Sequence, residues 1–166
     1  KKPNMFYMSM QAKMLGELQG IKYNGTDASM SGMQGEKIYS EEDIQKEMES
    51  FLLFPILSRD QLEHQFELKE IENINGIDSY KIIRTNKLGD KKSMFFNIKT
   101  GHLIKEVFQK DGMQNIIEYS NYTNYQSLVF PKNTSITVIT EQGTQIMKAT
   151  LKEVIINQGI EDSIFN

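Results

Sequence analysis

Short runs of this chain alternate between apolar and polar positions. Phe6, Met8 and Met10 fall on one face of a first strand, Met94, Phe96 and Ile98 on one face of a later one, and Met147, Ala149 and Leu151 oppose Lys148, Thr150 and Lys152 near the end. Side chains two apart along an extended backbone share a face, so each run predicts a strand with one greasy and one wet side. Tyr80 and Ile82 alternate with Ser79 and Lys81, whereas Phe66 and Leu68 change phase before Ile71; an extra residue at that point predicts a bulge. Leu103-Ile104 with Val107-Phe108 is apolar on both faces and predicts a central strand covered twice.

Turn dipeptides separate these runs: Asn24-Gly25, Asn75-Gly76, Gly89-Asp90, Thr100-Gly101, Asp111-Gly112 and Gln142-Gly143. From Gly76 through Gly89 and Gly101 to Gly112 the intervals are 13, 12 and 11 residues. That is room for a strand and a tight turn but not for the helical crossover of a parallel sheet. The prediction is a meander of antiparallel hairpins.

One segment breaks the rhythm. Ser40 precedes Glu41, Glu42 and Asp43, which reads as a capping hydroxyl followed by an acidic first turn. Ile44, Met48, Phe51 and Leu52 then fall on one helical face, and Pro55 ends the pattern. A single amphipathic helix lying on the sheet is expected.

Composition narrows the function. The 166 residues carry a net charge of -3, with both signs spread along the chain, so no basic stripe exists for a nucleic acid. There is no Cys, which removes thiol catalysis, disulfides and thiolate ligands. The longest apolar run, Phe51 to Leu57, is far shorter than the roughly 20 residues that span a bilayer. His64-Gln65-Phe66-Glu67-Leu68 starts like an inverted zinc-peptidase motif but has Leu68 where the second His belongs, and His102 follows a turn. With no nucleophile elbow and no phosphate loop either, no enzyme, cofactor or metal is called for. Ten Met, seven of them at or before Met48, supply soft apolar surface that fills a core or adapts to a guest.

The segment Lys1-Lys2-Pro3-Asn4-Met5-Phe6-Tyr7-Met8-Ser9-Met10 resembles the LolA-like periplasmic lipoprotein carriers, in which a basic pair, Pro-Asn and an apolar-aromatic strand occur together. Tyr23-Asn24-Gly25-Thr26-Asp27 and Met33-Gln34-Gly35 with the Ser40 helix resemble the hairpin and the segment that follow it. Val154-Ile155-Ile156-Asn157 and Asp162-Ser163-Ile164-Phe165 resemble the ending of outer-membrane lipoprotein-sorting proteins. The resemblance implies a mainly β fold: an antiparallel meander forming a curved, unclosed β-barrel of LolA/LolB type with one covering helix. Residues 1–166 would be a single domain lacking the family's N-terminal helix and first strands. Lys2 stands where the family has the arginine that latches the lid, and lysine lacks that residue's planar fork of donors.

The function implied is a non-catalytic protein of the periplasm or outer membrane that holds a lipid or lipoprotein acyl chain on the concave apolar face. An envelope membrane protein is a candidate second partner, and the sequence does not set the oligomeric state. Phe6, Met8, Met10, Met30, Met94 and Phe96 are the expected wall, and Ile44, Met48, Phe51 and Leu52 the lid, with Lys2 as latch. The alternatives are a non-catalytic accessory domain of an envelope zinc peptidase and a structural or adhesion module.

Overall fold

The computed structural model describes residues 5–12, 16–33, 35–52, 55, 62–126, 128–154, 161 and 163. Lys2 and the rest of 1–4 lie outside them, as do 155–157 and most of the chain's end. The chain divides into two compact units, residues 1–62 with 158–166 and residues 63–157. Among the described residues the fold is mainly β, with two open antiparallel sheets and one short α-helix, as the alternation and turns predict.

The first unit is a four-stranded meander of β1 (Phe6–Ala12), β2 (Gly16–Tyr23), β3 (Ala28–Gly32) and β4 (Gly35–Ile38), hydrogen-bonded in that order. Asn24-Gly25 makes the β2–β3 turn, where the Asn24 carboxamide oxygen accepts from the backbone N–H groups of Thr26 and Asp27. Helix α1 (Glu41–Glu47) follows, and the Ser40 hydroxyl accepts from the Asp43 N–H at 3.2 Å as a cap. At Met48 the helix tightens into a 3-10 turn, Met48–Phe51, and Leu52 is already extended. The helical face predicted from sequence therefore ends in a different helix type, one turn before Pro55.

The second unit is a seven-stranded meander: β5 (Gln65–Ile74), β6 (Ile77–Thr85), β7 (Lys91–Asn97), β8 (Leu103–Lys110), β9 (Met113–Tyr125), β10 (Leu128–Thr140) and β11 (Gly143–Thr150). Each predicted turn in this region joins two neighbours. At Asn75-Gly76 and Asp111-Gly112 both residues have positive φ (51° and 85°, 53° and 75°), the conformation of a two-residue hairpin matched to strand twist. The pairing of β5 with β6 slips between Leu68 and Ile71, at the predicted bulge. Strand β8 is central, fourth of seven. Edge strand β11 is exposed on both faces, so its greasy side, Met147 included, is not covered as its alternation suggested.

Register divides this sheet into two chemically different faces, because directly opposed residues of antiparallel strands point the same way. One cross-strand row reads Leu68, Ile82, Met94, Glu106, Ile117, Ile136, Met147. The adjacent row on the other face reads Lys81, Phe95, Lys105, Glu118, Ser135, Lys148. On that charged face Lys81 also bonds Glu72 at 2.6 Å and Glu70 at 3.2 Å.

Candidate functional site

In the first unit, pairing sets three rows on one face of the sheet: Phe6, Tyr23, Ala28; then Met8, Ile21, Met30; then Met10, Gln19, Gly32. The helical segment covers the first row. Phe51, 3% exposed, stacks on Tyr23 with ring centroids 4.9 Å apart, meets Tyr39 edge-on at 5.9 Å and leans on Phe6 at 6.5 Å. Ile44 is buried in the same cluster with Tyr23 and Ala28, and Met48 packs against it. Leu52 is buried as well. Of the four residues expected to form a lid, Ile44, Met48 and Phe51 thus pack against this sheet.

Beyond the helix the same face is open. Met8 is 49% and Met10 55% exposed, although they share the face of the half-buried Phe6. Met30 is half-buried in the same row as Met8, across Ile21, and its sulfur accepts a hydrogen bond from the Gln19 carboxamide at 2.9 Å. A cavity of about 490 Å³ lies alongside, bounded by Gln19, Met30, Met33 and Lys37. Met33, 84% exposed, adds a fourth thioether at its rim. These side chains form an apolar strip that ends in solvent, built from the most deformable apolar residue type.

Met94 and Phe96, the remaining expected wall residues, lie in the second unit. The ten expected contacts therefore fall in two groups, eight on the first sheet and its helix and two on the apolar face of the second. Met94 is 5% exposed and Phe96 is half-buried.

Beside Met94 lies a group that the sequence reading missed. Glu106, 7% exposed, takes the central place in the apolar row, where it accepts a hydrogen bond from the Tyr119 hydroxyl at 2.7 Å and faces the Lys92 ammonium at 3.4 Å. Lys92 in turn sits 4.7 Å above the Phe108 ring. The available signal was a lone carboxylate inside the apolar run Leu103 to Phe108. Its partners lie on β7 and β9, and no local pattern identifies them.

A second cavity, of about 760 Å³, is bordered by residues of all seven strands, among them Glu118, Ser135 and Lys148 of the charged face. The His102 imidazole stacks on Tyr122 within it, with centroids 4.1 Å apart and planes inclined by 18°. The Tyr122 hydroxyl donates to the Leu103 carbonyl, and burial, with the Glu106 charge as the smaller cause, pushes its pKa up to about 12. Among the described residues, no group of three or more His, Asp or Glu could hold a metal ion, and no helix is long and apolar enough to cross a membrane.

No protein-family model matches the sequence, and no curated protein sequence matches it. Solved structures do match. A LolA superfamily protein from Nitrosomonas europaea superposes with a TM-score of 0.63 at 14% identity, covering 99% of this chain and 77% of that one. A domain from Vibrio parahaemolyticus, assigned to outer membrane lipoprotein sorting, gives 0.60 at 15% identity over 98% of this chain and 80% of that one. A DUF1329 family protein from Desulfovibrio piger gives 0.55 at 15% identity over 89% and 68%. With two antiparallel meanders, open edges and one short helix matched across nearly its whole length, the chain has the fold of the LolA-like proteins.

Proposed function

We propose that this chain is a non-catalytic protein of the bacterial envelope that binds a lipid or a lipoprotein acyl chain along the thioether strip of its first sheet. The observation that carries the reading is the strip itself: Met8 and Met10 continue the face that the helix covers, yet stand half exposed, and Met30 of the same row as Met8 lines a cavity. A face of this kind fits a flexible hydrocarbon, because methionine repacks around irregular guests at little cost. Each methylene taken from water contributes about 0.8 kcal/mol, so about sixteen of them supply roughly 13 kcal/mol, which covers about 5 kcal/mol of ordering cost and leaves binding near the micromolar range.

The LolA-like fold supports an envelope location and a lipoprotein-related partner, since one neighbour is assigned to lipoprotein sorting. The wall in this reading comprises Phe6, Met8, Met10 and Met30. Ile44, Met48, Phe51 and Leu52 close its inner end, Met94 and Phe96 add apolar surface on the second sheet, and Lys2 is the latch.

Titration with cis-parinaric acid, a fluorescent fatty acid, tests the proposal, together with native mass spectrometry of the purified protein. Wild type is expected to enhance the fluorescence saturably, and Met8→Glu and Met10→Glu to weaken binding sharply while the unfolding midpoint holds. Phe96→Glu tests the second sheet in the same way. Binding unchanged by both methionine substitutions would remove the strip as the acyl site.

A further inference from the structure

The larger cavity of the second sheet is chemically unlike the thioether strip. Two adjacent cross-strand rows form its floor across β9, β10 and β11: Glu118, Ser135, Lys148 and Ser120, Asn133, Thr150. Directly opposed side chains of such rows stand about 5 Å apart, and successive residues on one face about 7 Å apart. The floor is thus a grid of hydroxyl, carboxamide, carboxylate and ammonium groups.

These groups are uncommitted. Among the described residues, no hydrogen bond or ion pair engages the side chains of Glu118, Ser120, Asn133, Ser135 or Lys148. Glu118, Asn133 and Ser135 are half-buried all the same, with their polar atoms open to the cavity and to water. The stacked His102 and Tyr122 rings border the grid and offer an aromatic edge, whereas the Tyr122 hydroxyl is already engaged by the Leu103 carbonyl. Along its row the charge alternates, with Glu118 between Lys105 and Lys148, so no cluster of like charge is present to select a strongly charged ligand.

We infer that this cavity is a binding site for a neutral, polyhydroxylated saccharide. Asn133, Ser120 and Ser135 would supply paired donors and acceptors for its hydroxyls, Glu118 would accept from one and Lys148 donate to another. The His102–Tyr122 stack would border its apolar C–H face. A volume of about 760 Å³ suits a short oligosaccharide or the head group of a glycolipid. The inference stands independently of the acyl-chain proposal, because the grid lies on the opposite face of the sheet from Met94 and Phe96.

Amide NMR titrations with maltotriose and, below its micelle concentration, octyl glucoside test it on the whole chain. Either sugar is expected to shift the amides of Ser120, Asn133 and Ser135 saturably at millimolar concentration, and Asn133→Ala to weaken that binding about tenfold. Lys148→Ala, on the exposed edge strand, repeats the test where folding is not at stake. Met8→Glu should leave the sugar response intact, which separates this site from the acyl strip. Shifts with both sugars support a free saccharide, and shifts with octyl glucoside alone support a glycolipid head group. No shift with either, shifts that persist undiminished in both variants, or saturation by inorganic phosphate in place of sugar would overturn the assignment.

Discussion

The Phe51 ring lies nearly flat on Tyr23, with centroids 4.9 Å apart and planes inclined by 17°. A 3-10 turn of four residues thereby fastens the helical segment to the end of β2. Tyr23 also donates its hydroxyl to the Gly25 carbonyl at 2.9 Å, so the same side chain ties the helix, the strand and the β2–β3 turn together.

This arrangement makes Phe51 the anchor of the first unit. Phe51→Ala removes a ring in contact with three other aromatics and should cost about 3–5 kcal/mol, whereas Phe51→Leu should cost clearly less. Urea denaturation followed by tyrosine fluorescence measures both. A loss under about 1 kcal/mol for the alanine variant would mean that the site collapses around the gap.

A second prediction concerns the β5–β6 turn. Gly76 has φ of 85°, and a Cβ built there meets nothing within 4 Å. Gly76→Ala is therefore strained by backbone conformation alone, which costs about 1–2 kcal/mol for an L-residue in the left-handed region. Gly76→Asn should recover part of that loss, since Asn tolerates this region. Thermal denaturation of the two variants gives the comparison.

The turns, the helix cap and the bulge were legible in the sequence because they are local. An Asn-Gly or Asp-Gly pair selects its turn through the φ values of its own two residues, Ser40 caps through a contact three residues away, and the phase change between Leu68 and Ile71 marks its own bulge. What lay beyond reach depends on contacts between distant segments. Alternation assigned Phe6, Met8 and Met10 to one face but could not say that the helix would cover only the first of their rows. The same alternation in β11 gave no sign that the strand would stand at an edge, exposed on both sides. The burial of Glu106 required partners from two other strands. The polar grid was hidden likewise, because Glu118, Ser135 and Lys148 become neighbours only through the register of three strands.

Glu106 supplies a third prediction. A carboxylate in an apolar row is tolerated because Tyr119 and Lys92 satisfy it, so removing one partner should cost more than replacing the pair. Glu106→Leu alone leaves the Lys92 ammonium without its carboxylate and should destabilise by about 3 kcal/mol or more. Lys92→Met with Glu106→Leu should regain most of that loss, and Tyr119→Phe should cost about 1.5–3 kcal/mol as the loss of a hydrogen bond to a charged group. A double-mutant cycle on unfolding free energies isolates the Lys92–Glu106 coupling. Strict additivity of the two single variants would show that the ion pair contributes nothing of its own.

Tyr122 makes the final prediction one of alkaline stability. Its phenol titrates near 10.0 in an unfolded chain and about 12 in the fold, because burial, and secondarily the Glu106 charge, penalise the phenolate. The folded form therefore holds the proton more tightly, and above pH 10.0 unfolding releases it. The stability that this shift contributes is fully present below pH 10.0 and is lost as the pH rises toward about 12. Tyr122→Phe removes the hydrogen bond to the Leu103 carbonyl, so it should lower stability at neutral pH by about 1 kcal/mol. It should also make the decline above pH 10.0 shallower. Tyr23, whose pKa burial also raises, keeps part of the slope in place in the variant. Urea midpoints compared at neutral pH and at successive steps above pH 10.0 provide the measurement. Parallel curves for the two proteins would mean that the Tyr122 phenol is not shifted in the fold.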